Sequence, residues 1–399
     1  MKRRINELID LLNIKNKKMN IKRFIKEEKI FTLIISLSVI SSLRSLIIPL
    51  QADELTYFKL ANNILNGKYY LTNNPSTVTP IIPFIMAFFK ASSFPMIGFA
   101  LNKLFHIGLT TLGFRYLYLF LKKQQINNRV ILSIIALTIV NPIGVSFFSS
   151  LYPEAILFFC FWGFMYYSTS EYNNKNFIKM IVLFLLLAMT RYLYIVLGAI
   201  IIFNFYQYYK TNNKQTIYQL IKYTIILILP IIFWAKYVYN IEQNNLSEIS
   251  YFNRFKTDNQ LLYNVKAGLG LIKHHEVSRV NGIPAFISLF VPITGFRSYL
   301  LSVILIFAFI FGYVRKNNLL GIKILITSIL LTMFGLIIAG TGFSRYWLIL
   351  LPGFLLGYYF LISKFNIEDK WFVYMAQIVS FIYILNEVRL DFLILNKYI

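Results

Sequence analysis

The chain is expected to fold as an all-α, polytopic bundle of membrane-spanning helices. Apolar runs of spanning length recur from Ile30 almost to the C-terminus with no long polar block between them. Hydrophobic residues make up 57% of the sequence and charged ones 14%, with mean hydropathy +0.61, whereas soluble domains carry about 25% charged residues. The 40 Lys and Arg, against 16 Asp and Glu, collect in short segments between the apolar runs. That is the pattern of the positive-inside rule, so the net charge of +24 implies no nucleic-acid partner.

Residues 1–29 are a basic segment read as cytoplasmic. Within it Ile5, Leu8, Ile9 and Leu12 recur at helical spacing, which suits a helix lying on an anionic leaflet; topogenic charge alone is the simpler use. Residues 30–399 are expected to form a single membrane domain. The run from Ile30 to Leu50 lacks a small-residue cleavage site, so it should remain as a signal anchor and carry the chain outward.

Residues 51–93 then form a first outer loop. Leu55, Phe58, Ala61, Ile64 and Leu65 mark one helical stripe, Gly67 can cap it, and Pro75, Pro80 and Pro83 interrupt the remainder of the loop, so amphipathic surface helices are expected. Pro95 to Leu121 returns inward to Lys122, Lys123 and Arg129. Val130 to Phe148 exits, with a bend expected at Asn141-Pro142. The short SSLYPE connection places Pro153 in the first turn of the next helix and Glu154 at the outer face; Tyr152 to Ser168 then runs inward to Lys175 and Lys179.

Phe177 to Tyr209 is too long for one span. Two short helices broken at Thr190-Arg191 keep Lys210, Lys214 and Lys222 inside, and they place Arg191 near the outer face in a cavity, where irregular backbone is tolerated. Ile217 to Tyr239 exits into a second outer loop, residues 240–282, containing His274, His275 and Glu276. Ile283 to Phe296, bounded by Pro284 and Pro292, is either re-entrant or the tilted start of the span that ends before Arg315 and Lys316. Leu319 to Ala339 exits, GTGFSRY turns, Trp347 to Ile362 enters and Trp371 to Leu385 exits, about eleven spans in all. The single Cys160 precludes an intrachain disulfide. Abundant Asn, Lys and Ile suggest an AT-rich genome and a prokaryotic plasma membrane.

This topology gathers Asp53-Glu54, Glu154, Arg191 and Arg345-Tyr346 on the outer side. A carboxylate facing arginines at a membrane boundary suits transfer from a lipid phosphate, since a base must activate the nucleophile while cations hold the leaving group. No Gly-rich nucleotide loop, DxD motif or GxSxG elbow occurs, which argues against nucleotide-sugar donors and serine hydrolases. Adjacent His274 and His275 point to different faces of a helix or strand, unlike the i, i+4 pair of a zinc helix, so contact with sugar or phosphate from the loop is preferred to a metal site. His106, near Lys103, reads as interior packing or a cavity lining.

The same residues carry a family resemblance. DELTYFKLANNILNGKYY, followed by Pro80 and Pro83, resembles the first extracytoplasmic loop of the GT-C glycosyltransferases, especially the branch of protein O-mannosyltransferases and the lipid A aminoarabinose transferase. NP, LYPEAILFF, TRYLYIVLG and SRYWLILLPGF come in the family's order, so the resemblance covers most of the membrane domain; the large soluble C-terminal domain of some members has no counterpart here.

The resemblance implies transfer of a sugar, with inversion, from a polyprenyl-phosphate donor (dolichyl- or undecaprenyl-phosphate) to a glycolipid, glycan or protein acceptor at the outer face. Phosphate is a good leaving group once screened, so one carboxylate base suffices. Asp53 is the candidate base, and Glu54 serves either as base or as acceptor contact. Arg191 and Arg345 would clamp the phosphate through bidentate guanidinium forks. Glu154 would orient the acceptor or balance the arginines. Tyr57 and Tyr346 would line the site, although an interfacial belt accounts for many of the 28 tyrosines. No cofactor is assigned, and nothing in the sequence supports a divalent cation. Two rival readings are a transporter or flippase of lipid-linked or anionic solutes and an envelope-polysaccharide ligase or polymerase.

Overall fold

The computed structural model describes residues 28–69, 78–90, 95–171, 173–211, 215–246, 259–272, 281–291, 296–314 and 319–398. Every regular element among them is helical. The basic segment before residue 28, with its helical stripe, lies outside the described residues, as do His274, His275 and Glu276.

The bundle is built around one helix, α7 (Glu154–Ser168). Its sequence is apolar on all sides, which suits a helix with no solvent or lipid face, and Ala155 to Phe158 and Cys160 to Met165 are all buried. It packs between α4 (Pro95–Lys123) and α8 (Asn174–Thr190). Close helix approach elsewhere depends on small residues. Between α12 (Tyr299–Tyr313) and α15 (Leu351–Lys364), a β-carbon on Gly312 would fall 1.9 Å from the carbonyl oxygen of Gly357.

Contacts between helix ends sort the bundle into two faces. At one, Arg129 in the first turn of α5 (Asn128–Ile139) pairs with Glu28, which precedes α1 (Lys29–Leu43), at 3.2 Å. Asn127 bonds Asp369, the first residue of α16 (Asp369–Tyr398), at 3.1 Å. Lys123 donates to the carbonyl of Thr169, and Tyr208 near the end of α9 (Gly198–Thr211) bonds Gln219 in α10 (Gln215–Leu246) at 2.8 Å. This face carries Lys122, Lys123, Arg129, Lys175, Lys179, Lys364 and Lys370. At the opposite face lie the end of α1, the start of α7, the end of α8 and the loop after α13 (Leu320–Ile338).

Most of the apolar runs expected to span are helical, but Ile283 to Leu289, the start of the run left open as re-entrant or tilted, is a 3-10 segment, and residues 292–295 of that run lie outside the described residues. Among the described residues, however, five helices are long and apolar enough to cross a membrane alone, or six if one bent pair counts as a span. Much of the difference from eleven lies in apolar helices shorter than a bilayer needs, such as α7 with 15 residues, α12 with 15 and α15 with 14. The bent pair is α5 with α6 (Pro142–Ser149), which turn by 71°. The Asn141 side chain caps α6 through the amides of Ile143 and Gly144, and Pro142 takes the first helical position, where no N–H is needed. The long run from Phe177 also breaks: α8 ends at Thr190, Arg191 is extended, and a 3-10 segment, Tyr192–Leu197, leads into α9.

Some boundaries differ from expectation. α10 continues to Leu246, six residues beyond the expected start of the second outer loop. α16 extends to Tyr398 instead of ending near Leu385, because its polar end is neutralised. Arg44, just past α1, donates to Glu387 at 2.6 Å and to Asp391 at 2.8 Å, and Ser41 donates to Asp391 at 2.6 Å. This half-buried triad, in which Glu387 is the buried member, fastens the last helix to the first. Removing one partner of a buried ion pair strands the other charge, at about 3–5 kcal/mol. Arg44→Gln should therefore lower the melting temperature of the detergent-solubilised protein well below that of Arg129→Gln, whose pair is exposed; equal melting temperatures would argue against the triad.

Candidate functional site

The first outer loop does not present its acidic pair on an irregular strand. Helix α2 (Asp53–Leu65) begins at Asp53 itself, so both carboxylates stand in its first turn, where the helix dipole favours negative charge. Gly67, with φ +78°, closes the other end of α2 in the left-handed conformation that favours glycine.

The two neighbours have different surroundings. Glu54 is buried, and both of its oxygens accept backbone hydrogen bonds: Oε1 from the amide of Leu151 at 2.7 Å and Oε2 from that of Gln51 at 2.9 Å. It thereby clamps the start of α2 to the turn that leads into α7. The clamp also holds Ala52 at φ +45°, a region that residues with a β-carbon rarely adopt. Lys103, buried on α4, steadies the preceding turn by donating to the carbonyls of Ser45 and Ile48. His106, one helical turn further along α4, is fully buried.

Asp53 faces outward from this clamp. Its side chain is 46% exposed, and its Oδ2 accepts from Arg345 Nη2 at 2.6 Å. Arg345 is carried by α14 (Ser344–Leu348), so the SRY stretch expected to be a turn is helical. The loop ahead of it is fixed by Asn281, which donates to the carbonyl of Gly340 at 3.0 Å and accepts from the amide of Gly342 at 2.6 Å. The Trp347 indole donates to the carbonyl of Gly342 at 2.8 Å. A β-carbon on Gly342 would sit 2.8 Å from the backbone of Gly282, so this approach requires glycine.

Behind Arg345 lies Glu154, fully buried at the N-terminus of α7. Its Oε1 is 2.7 Å from Arg191 Nη2 and 3.7 Å from Arg345 Nε. Arg191 reaches it from the break after α8, whose last carbonyl, that of Thr190, accepts from the Thr79 hydroxyl at 2.6 Å. The result is a chain of alternating charge, Asp53, Arg345, Glu154, Arg191. Tyr346 stacks its ring 3.8 Å from the Arg191 guanidinium, and Tyr152 lies 4.9 Å from that of Arg345. Each is within range of a cation–π contact.

Burial works against charge on Arg345, but Glu154, Tyr346 and Asp53 outweigh it and hold the guanidinium protonated above its ordinary range. Burial, and then Asp53, push the Tyr57 phenol up, so it remains neutral. Three polar atoms of the cluster are buried without a hydrogen-bond partner: Glu154 Oε2, Arg191 Nη1 and Arg345 Nε. Buried polar atoms are rarely left so.

The expected residues Asp53, Glu54, Glu154, Arg191, Arg345, Tyr346 and Tyr57 thus converge at one face; His274 and His275 lie outside the described residues. Asn281, Trp347 and Lys103 were not expected, since each acts on backbone that only folding brings near. Among the described residues no three His, Cys, Asp or Glu side chains are grouped to hold a metal. An apolar crevice of about 300 Å³ opens between α5, α15 and α16, lined by Leu137, Leu289, Leu351, Phe372 and Val379. Asn141, on its wall, begins α6, whose Phe147 ring lies 5.5 Å from the Arg345 guanidinium.

Fold and site together define a helical membrane protein with a charge cluster at one face. Comparison of the chain with family models, curated proteins and solved structures finds no match.

Replacing Glu54 by Gln sets an amide N–H₂ against a backbone N–H. This should cost about 1–3 kcal/mol, read as a lower melting temperature in detergent, whereas Asp53→Asn at the half-exposed neighbour should change it little. The reverse order would contradict the clamp.

Proposed function

We propose that this chain is a GT-C-type glycosyltransferase that moves a sugar from a polyprenyl-phosphate donor to an acceptor hydroxyl. The observation that carries the reading is Asp53, a solvent-accessible carboxylate paired with Arg345, which shares Glu154 with the largely buried Arg191. An acceptor hydroxyl gives its proton to Asp53 and its oxygen attacks the anomeric carbon. The bond from that carbon to the phosphate oxygen breaks, its electron pair passing to the phosphate. Arg345 and Arg191 hold that charge in a low-dielectric setting where preorganised cations are most effective. A single displacement from the opposite side inverts the anomeric centre.

Glu154 keeps both guanidiniums in place, and Glu54 holds the backbone from which Asp53 projects. The crevice beside α15 and α16 offers an apolar bed for a lipid chain. In this reading the basic face is cytoplasmic, in keeping with the positive-inside rule, and the site works at the outer side of a prokaryotic plasma membrane. The eleven crossings belong to this reading, the shorter helices crossing where neighbours or a locally thin bilayer cover their ends.

A carrier of lipid-linked anions is the second reading, favoured by the broken helix at Arg191. The two are separated by chemistry. With a polyprenyl-phosphate-linked sugar and membrane-extracted acceptors, the reconstituted protein should release polyprenyl phosphate, and Asp53→Asn should slow that release by about 10²–10⁴-fold. Near-normal release by this variant would remove Asp53 as the base; movement of intact donor across the bilayer without bond cleavage would favour the carrier.

A further inference from the structure

We propose that Asp53 is a tethered competitor for the phosphate position as well as the base, so that the phosphate-bearing substrate must bind before the acceptor can meet a free carboxylate. The inference rests on the glycosyltransferase reading and adds an order of events to it.

The charge balance of the cluster leads here. Asp53 and Glu154 offset Arg345 and Arg191, so no guanidinium is left with unbalanced charge for an arriving anion. A phosphate ester can take a full share of the arginine pair only if one carboxylate yields. Glu154 cannot: it is completely buried and lies between two guanidiniums. Glu54 is not a member of the pair and has both oxygens on backbone amides. Asp53 is the group able to leave, since it is 46% exposed and is held by the single bond to Arg345 Nη2.

The unpartnered donors point the same way. Arg191 Nη1 and Arg345 Nε are buried and unbonded with Asp53 in place, so one carboxylate does not satisfy the pair. A phosphate brings several acceptor oxygens and can reach donors that the Asp53 carboxylate leaves unmet. Because Glu54 fixes the backbone of α2's first turn, the exchange needs only rotation of the Asp53 side chain away from Arg345. The displaced carboxylate then faces the exposed side, where an acceptor hydroxyl would arrive.

The test is binding, read without turnover. Full-length protein in nanodiscs is titrated with polyprenyl monophosphate, and separately with inorganic phosphate in nanodiscs lacking that lipid. Removing the competitor should tighten binding of polyprenyl monophosphate by Asp53→Asn about tenfold relative to wild type, the order expected for losing one charge-assisted hydrogen bond to a rival acceptor. Asp53→Ala should do the same, which covers the case that one variant fails to fold. Glu368→Gln removes an equal charge at an exposed site of the opposite face, where its partner Lys370 is also exposed, and should leave the affinity unchanged. Equal or weaker binding by both Asp53 variants overturns the competitor role while leaving the base assignment standing. Equal tightening by Glu368→Gln reduces the effect to net charge and also overturns it. Tightening seen with inorganic phosphate alone supports the competition but overturns the lipid-linked donor. Failure of wild type and variants to bind either probe overturns the phosphate site and, with it, the glycosyltransferase reading.

Discussion

A fully buried carboxylate needs compensating partners, and Glu154 sets that requirement at the N-terminus of the central helix. Arg191 and Arg345 meet it from distant parts of the chain. Neither could do so from the middle of a straight helix packed alongside α7. Arg191 therefore sits where α8 has ended and the backbone is extended, and Arg345 sits on the five-residue helix α14, set by a loop of glycines and Asn281. The irregular elements at this face are the local forms that let two guanidiniums converge on one acid. The regular helices beneath them have no such demand and pack by apolar contact and small residues.

Most of the fold was legible because membrane helices announce themselves by composition. The bend at Asn141-Pro142 and the cap at Gly67 were legible for a local reason, since proline lacks a donor and glycine tolerates positive φ. The break at Arg191 came from charge: a long apolar run with an arginine in its middle places its basic ends correctly only if broken. Pairings were not legible in this way. Nothing in the sequence ties Arg44 to Glu387 and Asp391, which lie more than 300 positions away, and without that tie α16 looks as if it should stop before its acidic residues. The number of crossings was the least secure, because length and apolarity measure one helix at a time while burial within a bundle depends on its neighbours.

The two faces of the bundle handle positive charge by different means. At one, lysines and arginines accumulate near helix ends and many are exposed, as a compositional rule for orientation requires. At the other, four cations have specific acceptors: Arg44 its two carboxylates, Lys103 its two carbonyls, Arg191 and Arg345 the shared Glu154. Snorkelling toward lipid head groups would leave guanidiniums at the rim. Those of Arg191 and Arg345, 12% and 10% exposed, are instead drawn inward, stacked on Tyr346 and Tyr152. An inward cation pair with unmet donors fits an anion that enters the protein better than one that remains in the bilayer surface.

The adjacent residues Asp53 and Glu54 show how an identical local signal acquires two meanings. Both are acids at the start of one helix, and neither spacing nor composition separates them. Successive residues on a helix point about 100° apart, so one of them is turned to the SSLYPE connection and the other to the open face. Glu54, buried and given two amide donors, becomes part of the scaffold; Glu154, given two guanidiniums, becomes its electrostatic centre. Of the three carboxylates, only Asp53 keeps an accessible surface and a single held partner. The proposed reaction asks one group first to yield a cation and then to accept a proton; that needs freedom, and the rigidity of its two acidic neighbours leaves the part to Asp53.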